Sequence, residues 1–175
     1  MTTILDREQI TKAIDQIAAD IINDLTASDS VAVVGIRSRG EIIAQRLAEK
    51  IAGRLKKDVP CGTLDITLYR DDLNSPSHTS QPRVRTTEIG FNVDDRVIIL
   101  VDDVLHTGRS TRAALDALMD LGRPKFIKLA VLVERCGREL PIQADYIGHK
   151  AEVEVEKVVQ VNLLESDGKD EVTVE

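Results

Sequence analysis

Five consecutive apolar residues, Val97-Ile98-Ile99-Leu100-Val101, run directly into two acids, Asp102 and Asp103. The run is nearly all β-branched, which suits a pleated strand. It has no alternation, so both faces of the strand must be covered. A parallel sheet between layers of helices meets that demand. Open sheets of this kind bind ligands just beyond the carboxyl ends of their strands, where the two acids stand. Neighbouring strand residues point to opposite faces, so the acids are expected to have different tasks. A short link then leads to Thr107-Gly108-Arg109-Ser110-Thr111, and an Ala/Leu-rich helical pattern follows. Such a loop can aim backbone N–H groups, hydroxyls and the positive end of a helix at one anion. Acids for hydroxyls beside a cradle for phosphate suit a phosphorylated sugar. Neither GxxxxGK[ST] nor GxGxxG is present, so this is no Walker loop and no dinucleotide fingerprint.

The rest of the chain extends the same pattern. Ile10, Ile14, Ile17, Ile21 and Leu25 recur at helical spacing, predicting an amphipathic helix over 6–25. A β-branched strand over 31–36 ends in Arg37-Ser38-Arg39-Gly40, a second strand end suited to an oxygen-rich anion. Helices are expected over 41–54 and 110–121, and strands over 63–69, 128–133, 146–148 and 157–164. Residues 172–174 read either as a returning hairpin strand or as part of a solvated acidic tail. Strands alternating with helices imply an α/β fold with a mostly parallel sheet. Residues 71–88 hold two prolines, several Ser/Thr and mixed charges and read as a long functional loop.

Composition narrows the function. The 175 residues are expected to form one domain, 1–175, with a core of Ile, Leu, Val and Ala, because aromatics make up only 2%. The net charge of −7 disfavours extensive nucleic-acid contact, which draws its affinity from neutralising phosphates. No apolar run approaches a membrane span and no signal-peptide core opens the chain, so no membrane association and a cytoplasmic location are expected. Cys61 and Cys136 are expected to be reduced, and the scattered His78, His106 and His149 make no zinc site.

The stretch Val97-Ile98-Ile99-Leu100-Val101-Asp102-Asp103-Val104-Leu105-His106-Thr107-Gly108-Arg109-Ser110-Thr111 resembles the phosphoribosyl-pyrophosphate (PRPP) motif of type I phosphoribosyltransferases. Three further blocks, 35–40, 64–73 and 138–148, resemble one branch, the PyrR family of pyr operon regulators and uracil phosphoribosyltransferases. The resemblance implies the type I phosphoribosyltransferase fold with a small hood and a flexible loop. It implies transfer of a ribosyl-5-phosphate group from PRPP to uracil, giving UMP and pyrophosphate. Mg²⁺ would be carried by PRPP and not held by protein side chains alone. The catalytic positions carried over are Asp102, Asp103 and Arg39. Substrate contacts carried over are Ser38, Arg39, Asp102, Asp103, Val104, Leu105, His106, Thr107, Gly108, Arg109, Ser110, Arg135 and Val158. Val158 would meet the base through its backbone, and Arg83 is a loop contact to PRPP. His106 stands where relatives commonly have tyrosine.

The family also implies a second task, UMP-responsive binding of pyr leader RNA, and assembly into homodimers or larger homo-oligomers. RNA-binding members present a basic surface on the first helix and on the segment after strand 128–133. Here that helix offers Asp15, Ala19 and Asp24, and Gln143 and His149 replace basic residues, although Arg138 is kept. The enzyme is therefore the favoured expectation. RNA attenuation and a non-catalytic nucleotide sensor are the alternatives.

Overall fold

The structure is a computed structural model and describes residues 1–73 and 84–175. Its strands are β1 (Thr2–Leu5), β2 (Val31–Ile36), β3 (Cys61–Leu64), β4 (Val97–Leu105), β5 (Phe126–Arg135), β6 (Tyr146–Ala151), β7 (Val159–Asn162) and β8 (Glu171–Val174). The helices are α1 (Arg7–Asp24), α2 (Arg39–Leu55), α3 (Arg109–Met119) and the short α4 (Leu164–Asp167), with a 3-10 turn at Thr67–Tyr69.

Five parallel strands form the main sheet in the order β3-β2-β4-β5-β6. The chain winds outward from β2 to β3, then returns to β4 and winds the other way. The winding therefore reverses between β2 and β4, and crevices at such a switch point are where open α/β sheets bind ligands. The Arg37-Ser38-Arg39 run and the Asp102-Asp103 pair stand at the carboxyl ends of these two strands.

The apolar run of β4 is covered on both faces, as its sequence requires. Val97, Ile99 and Val101 pack with Ile14, Ile17, Ile43 and Leu47 from α1 and α2. Ile98 and Leu100 pack with Ala113, Ala114, Ala117 and Leu118 from α3. Beyond Val101 the alternation reverses: Val104 joins the α1/α2 layer and Leu105 the α3 layer. The α1 stripe is buried as its spacing predicts. Asp6 and Gln9 close a capping box at the N-terminus of α1, at 2.9 and 2.8 Å, a feature that typically contributes about 0.5–2 kcal/mol.

A second sheet, antiparallel in the order β1-β8-β7, forms the hood. Residues 172–174 thus lie in a strand, β8, paired with β1 on one side and with β7 in a hairpin on the other. Ion pairs tie the hood to α2. Arg46 bridges Glu165 and Asp170, the latter at 2.7 Å, and Arg39 meets Asp167 at 3.1 Å.

Several expected boundaries move. The strand expected over 63–69 ends at Leu64, because Asp65 accepts hydrogen bonds from the Thr67 backbone and hydroxyl at 3.2 and 2.6 Å and turns the chain. The strand expected over 157–164 is only β7, and α4 begins at Leu164. β1 went unanticipated. β4 runs four residues past Val101, so both acids lie inside the strand. Among the described residues no helix is long and apolar enough to cross a membrane.

Candidate active site

Two adjoining cavities open at the carboxyl ends of β2, β3 and β4. The larger, about 280 Å³, is lined by Ser38 and Arg39, by Asp65, Thr67 and Arg70, and by Asp102, Asp103 and Ser110 among others. The smaller, about 50 Å³, lies against residues 104–108 and also takes in Asp102, Ser110 and Thr111. Asp102, Val104 and Ser110 border both.

The two acids differ in environment but share the larger cavity. Asp102 is 8% exposed and Asp103 half-buried. Reversal of the strand alternation after Val101 brings both carboxylates to one side. Each accepts the next residue's backbone N–H: Asp103 N–H to Asp102 at 2.9 Å, and Val104 N–H to Asp103 at 2.8 Å. Burial, reinforced by the charge of Asp103, raises the Asp102 carboxyl well above the usual carboxylate range.

Gly40 sets how closely α2 approaches these acids. A Cβ there would lie 2.6 Å from the Val101 carbonyl oxygen and 3.2 Å from Asp102 Cα. Only a residue without a side chain permits that contact. Ser38 is exposed just before α2, following a cis Arg37–Ser38 peptide. Arg39 is the first residue of α2; its guanidinium meets Asp167 in the hood, while its Nε is buried without a partner among the described residues. Hydrogen bonds from the Ser166 hydroxyl and the Leu163 N–H, together with Arg39, hold the Asp167 carboxyl below its ordinary pKa.

Gly108 begins α3 at φ 92°, and the Thr107 hydroxyl accepts the Arg109 N–H at 3.2 Å. The cradle is held from behind, because Glu139 and Leu140 donate their N–H groups to the Thr107 carbonyl at 3.0 and 3.2 Å. Val104, Leu105, His106, Thr107, Gly108 and Ser110 all line the cradle. Arg109 does not. Its guanidinium spans Glu139 at 2.7 Å and Asp71 at 2.6 Å, and these carboxylates raise its pKa.

Arg135 and Val158 line neither cavity. Arg135 is 5% exposed and donates to the backbone carbonyls of Glu154 at 2.8 Å, Val155 at 3.0 Å and Lys157. It thus staples the segment leading to Val158. Val158 is 59% exposed, and its N–H and C=O each pair with the backbone of Glu175 at 3.0 Å. Arg138 is likewise turned inward, to Glu134, Ile142 and the His106 carbonyl. Arg83 lies outside the described residues.

Residues 64–73 supply cavity walls that the sequence reading left unassigned. Asp65, Thr67 and Arg70 stand at the carboxyl end of β3, where the strand-end rule would have found them had the strand been ended at Leu64. Asp65 and Arg37 also anchor the returning limb of the loop. Asp65 accepts the Arg85 N–H at 2.7 Å, and Arg37 donates to the Thr86 carbonyl at 2.8 Å.

This architecture defines a phosphoribosyltransferase. The model of the phosphoribosyl transferase domain matches residues 1–166. Solved structures share the fold. A hypoxanthine-guanine phosphoribosyltransferase from Bacillus anthracis superposes with TM-score 0.69 at 19% identity, covering 88% of this chain and 85% of that one. A hypoxanthine phosphoribosyltransferase of Trypanosoma cruzi gives 0.72 at 14% identity, covering 99% and 95%. Curated relatives are far nearer in sequence. A protein named bifunctional protein PyrR from Pelotomaculum thermopropionicum is 49% identical over 171 residues, 98% of this chain and 93% of the relative. One from Deinococcus radiodurans is 50% identical over 168 residues, 96% and 91%. The chain belongs to the PyrR family of phosphoribosyltransferases.

Proposed function

We propose that residues 1–175 form one uracil phosphoribosyltransferase domain, converting PRPP and uracil to UMP and pyrophosphate. The observation that carries this reading is the pair of adjoining cavities sharing Asp102, Val104 and Ser110. The small cradle, residues 107–110 at the start of α3, suits the 5-phosphate. The acids reach the hydroxyls of a ribose anchored there. Ser38 and Arg39, across the larger cavity, take the departing pyrophosphate, and Arg39 exchanges Asp167 for it. As the leaving group departs, positive charge grows on the ribose beside Asp102 and Asp103, and negative charge grows beside Arg39. Rate acceleration is then positioning plus electrostatics, with no covalent protein intermediate.

The donor set fits Mg²⁺. The larger cavity offers carboxylate and hydroxyl oxygens, which hard cations prefer. Among the described residues no group of three or more His, Cys, Asp or Glu could hold an ion, so PRPP oxygens would complete the shell beside Asp102 and Asp103. When bound, the ion would neutralise charge on pyrophosphate.

The choice of uracil rests on the resemblance to the PyrR family. The Val158 N–H is spent on Glu175, but its carbonyl oxygen keeps a second lone pair, suited to the N3–H of uracil. An assay for UMP from PRPP, Mg²⁺ and uracil, with purine bases as controls, tests the reading. Asp103→Asn is expected to lower kcat by about 10²–10³-fold, and unchanged kinetics would refute the assignment.

A UMP-responsive RNA regulator is the second reading, favoured by the word bifunctional in the relatives' name. The surface argues for weak binding. Asp15 on α1 is paired with Lys50 at 2.8 Å, and Arg138 is consumed internally. Titration with pyr leader RNA at defined salt, with and without UMP, decides. Tight, UMP-enhanced binding would establish the regulator alongside the enzyme.

A further inference from the structure

The proposed reaction releases a proton for which the site residues above give no acceptor. The C1′–O bond to pyrophosphate breaks and its electron pair leaves with pyrophosphate. The N1–C1′ bond forms, and the N1–H bond of uracil must break. Resting on the uracil reading above, we infer that His106 is the base that takes this proton.

His106 directly follows β4 and lines the phosphate cradle, three residues from Asp103. Its ring is near enough to Arg135 to feel that guanidinium's charge, and Arg135 in turn holds the segment leading to Val158. The Nε2–Cδ2 edge rests on Gly137, where a Cβ would sit 2.6 Å from Nε2 and 3.0 Å from Cδ2. Gly137 has φ 101° and no side chain, so the ring can settle there. Nδ1 is on the opposite edge. Among the described residues the ring makes no hydrogen bond or ion pair, so Nδ1 is free to accept.

The surroundings keep the ring neutral. Arg135 on β5 and Arg138 just beyond it disfavour an imidazolium, as does burial, whereas Glu139 favours one. Glu139 is itself held by Arg109 at 2.7 Å. Burial and Arg135 prevail, and the His106 pKa lies below its ordinary value. Asp102 and Asp103 are committed to the ribose. The imidazolium formed in the reaction returns its proton to water once UMP and pyrophosphate depart.

The test compares uracil with 5-fluorouracil, whose N1–H is more acidic, in the wild type and in His106→Gln. The variant is expected to lower kcat for uracil by about 10²–10⁴-fold and for 5-fluorouracil by much less. The wild-type kcat/KM should fall as pH drops below the ordinary histidine range, because the His106 pKa is lowered, and that limb should vanish in the variant. The dissociation constant for UMP should change far less than kcat for uracil. Equal losses for both bases, or an unchanged kcat, overturn the inference. Weaker UMP binding with kcat retained overturns it too, by placing the ring on the 5-phosphate. A wild-type profile without the acid limb overturns it without recourse to any variant. A wild type that forms no UMP overturns both this inference and the uracil reading.

Discussion

Replacing Gly40 by alanine should damage catalysis far more than it damages folding. Gly40 is buried in the first turn of α2, so alanine is favoured there by helix propensity, by about 1 kcal/mol. Against that gain stands a Cβ only 2.6 Å from the Val101 carbonyl oxygen and 3.2 Å from Asp102 Cα. Both are backbone atoms and cannot swing aside. Reaching ordinary contact at 3.4 Å requires α2 and β4 to part by about 0.8 Å. Overpacking of this kind costs about 1–3 kcal/mol. The net destabilisation is then about 0–2 kcal/mol, measurable by urea denaturation. The same shift moves Arg39 away from the acids, and a displacement near 1 Å can cost about 10²-fold in rate. Gly53 supplies the control, since it lies on the same helix and a Cβ there meets nothing within 4 Å. Gly53→Ala should be stabilised by about 0.4–1 kcal/mol with unchanged kcat/KM. A folded Gly40→Ala with wild-type kcat/KM would refute the claim that this helix contact sets the distance between the pyrophosphate and ribose subsites.

Three further outcomes are expected. Asp102→Asn should abolish efficient turnover yet stabilise the free protein at neutral pH by about 0.5–2 kcal/mol. The sign follows from proton linkage. The folded pKa is raised above 3.8, so the native state holds more protons than the unfolded state above that value. Wild-type stability therefore falls as pH rises through that window, whereas the variant, equal at acid pH, does not follow; parallel urea titrations across pH would show otherwise if the acid were ionised freely. Arg135→Gln strips the backbone carbonyls of Glu154, Val155 and Lys157 of their donors, at about 1–3 kcal/mol for each carbonyl left buried. It should raise KM for uracil while leaving KM for PRPP in place, and an equal rise in both would contradict the assignment of that segment to the base. Asp167→Asn frees Arg39 and should tighten product inhibition by pyrophosphate by about 1.5–5-fold, the scale of one partly exposed ion pair; weaker inhibition would show that Asp167 aims Arg39 instead of competing for it.

The central strand was legible because its residues are apolar without alternation, a pattern only two-sided burial explains. Its true end was not legible. β4 continues to Leu105 because β5 pairs with it through Asp102↔Val131 and Leu105↔Glu134. Hydrophobicity carries no trace of ladder bonds beneath charged side chains. β1 was missed for a similar reason: Thr3 finds its partner at Thr173, and no local signal in four residues announces so distant a strand. Ser38, Arg39, Asp102, Asp103 and residues 107–110 could be placed because strand ends and helix starts fix where they stand. Arg109, Arg135 and Arg138 could be placed in the chain but not aimed. A long side chain turns to whichever carboxylate or carbonyl the tertiary fold presents, and these three turn to Asp71 and Glu139, to residues 154–157, and to Glu134, Ile142 and His106.

Crystals soaked with PRPP or UMP test most directly whether the paired carboxylates and the cradle before α3 grip one sugar phosphate. The 5-phosphate is predicted to lie on the backbone of residues 107–110, with both ribose hydroxyls facing Asp102 and Asp103. A ligand seated elsewhere would contradict it, for instance in the 310 Å³ cavity beside Val97, Phe126 and Tyr146 at the amino-terminal ends of β4, β5 and β6.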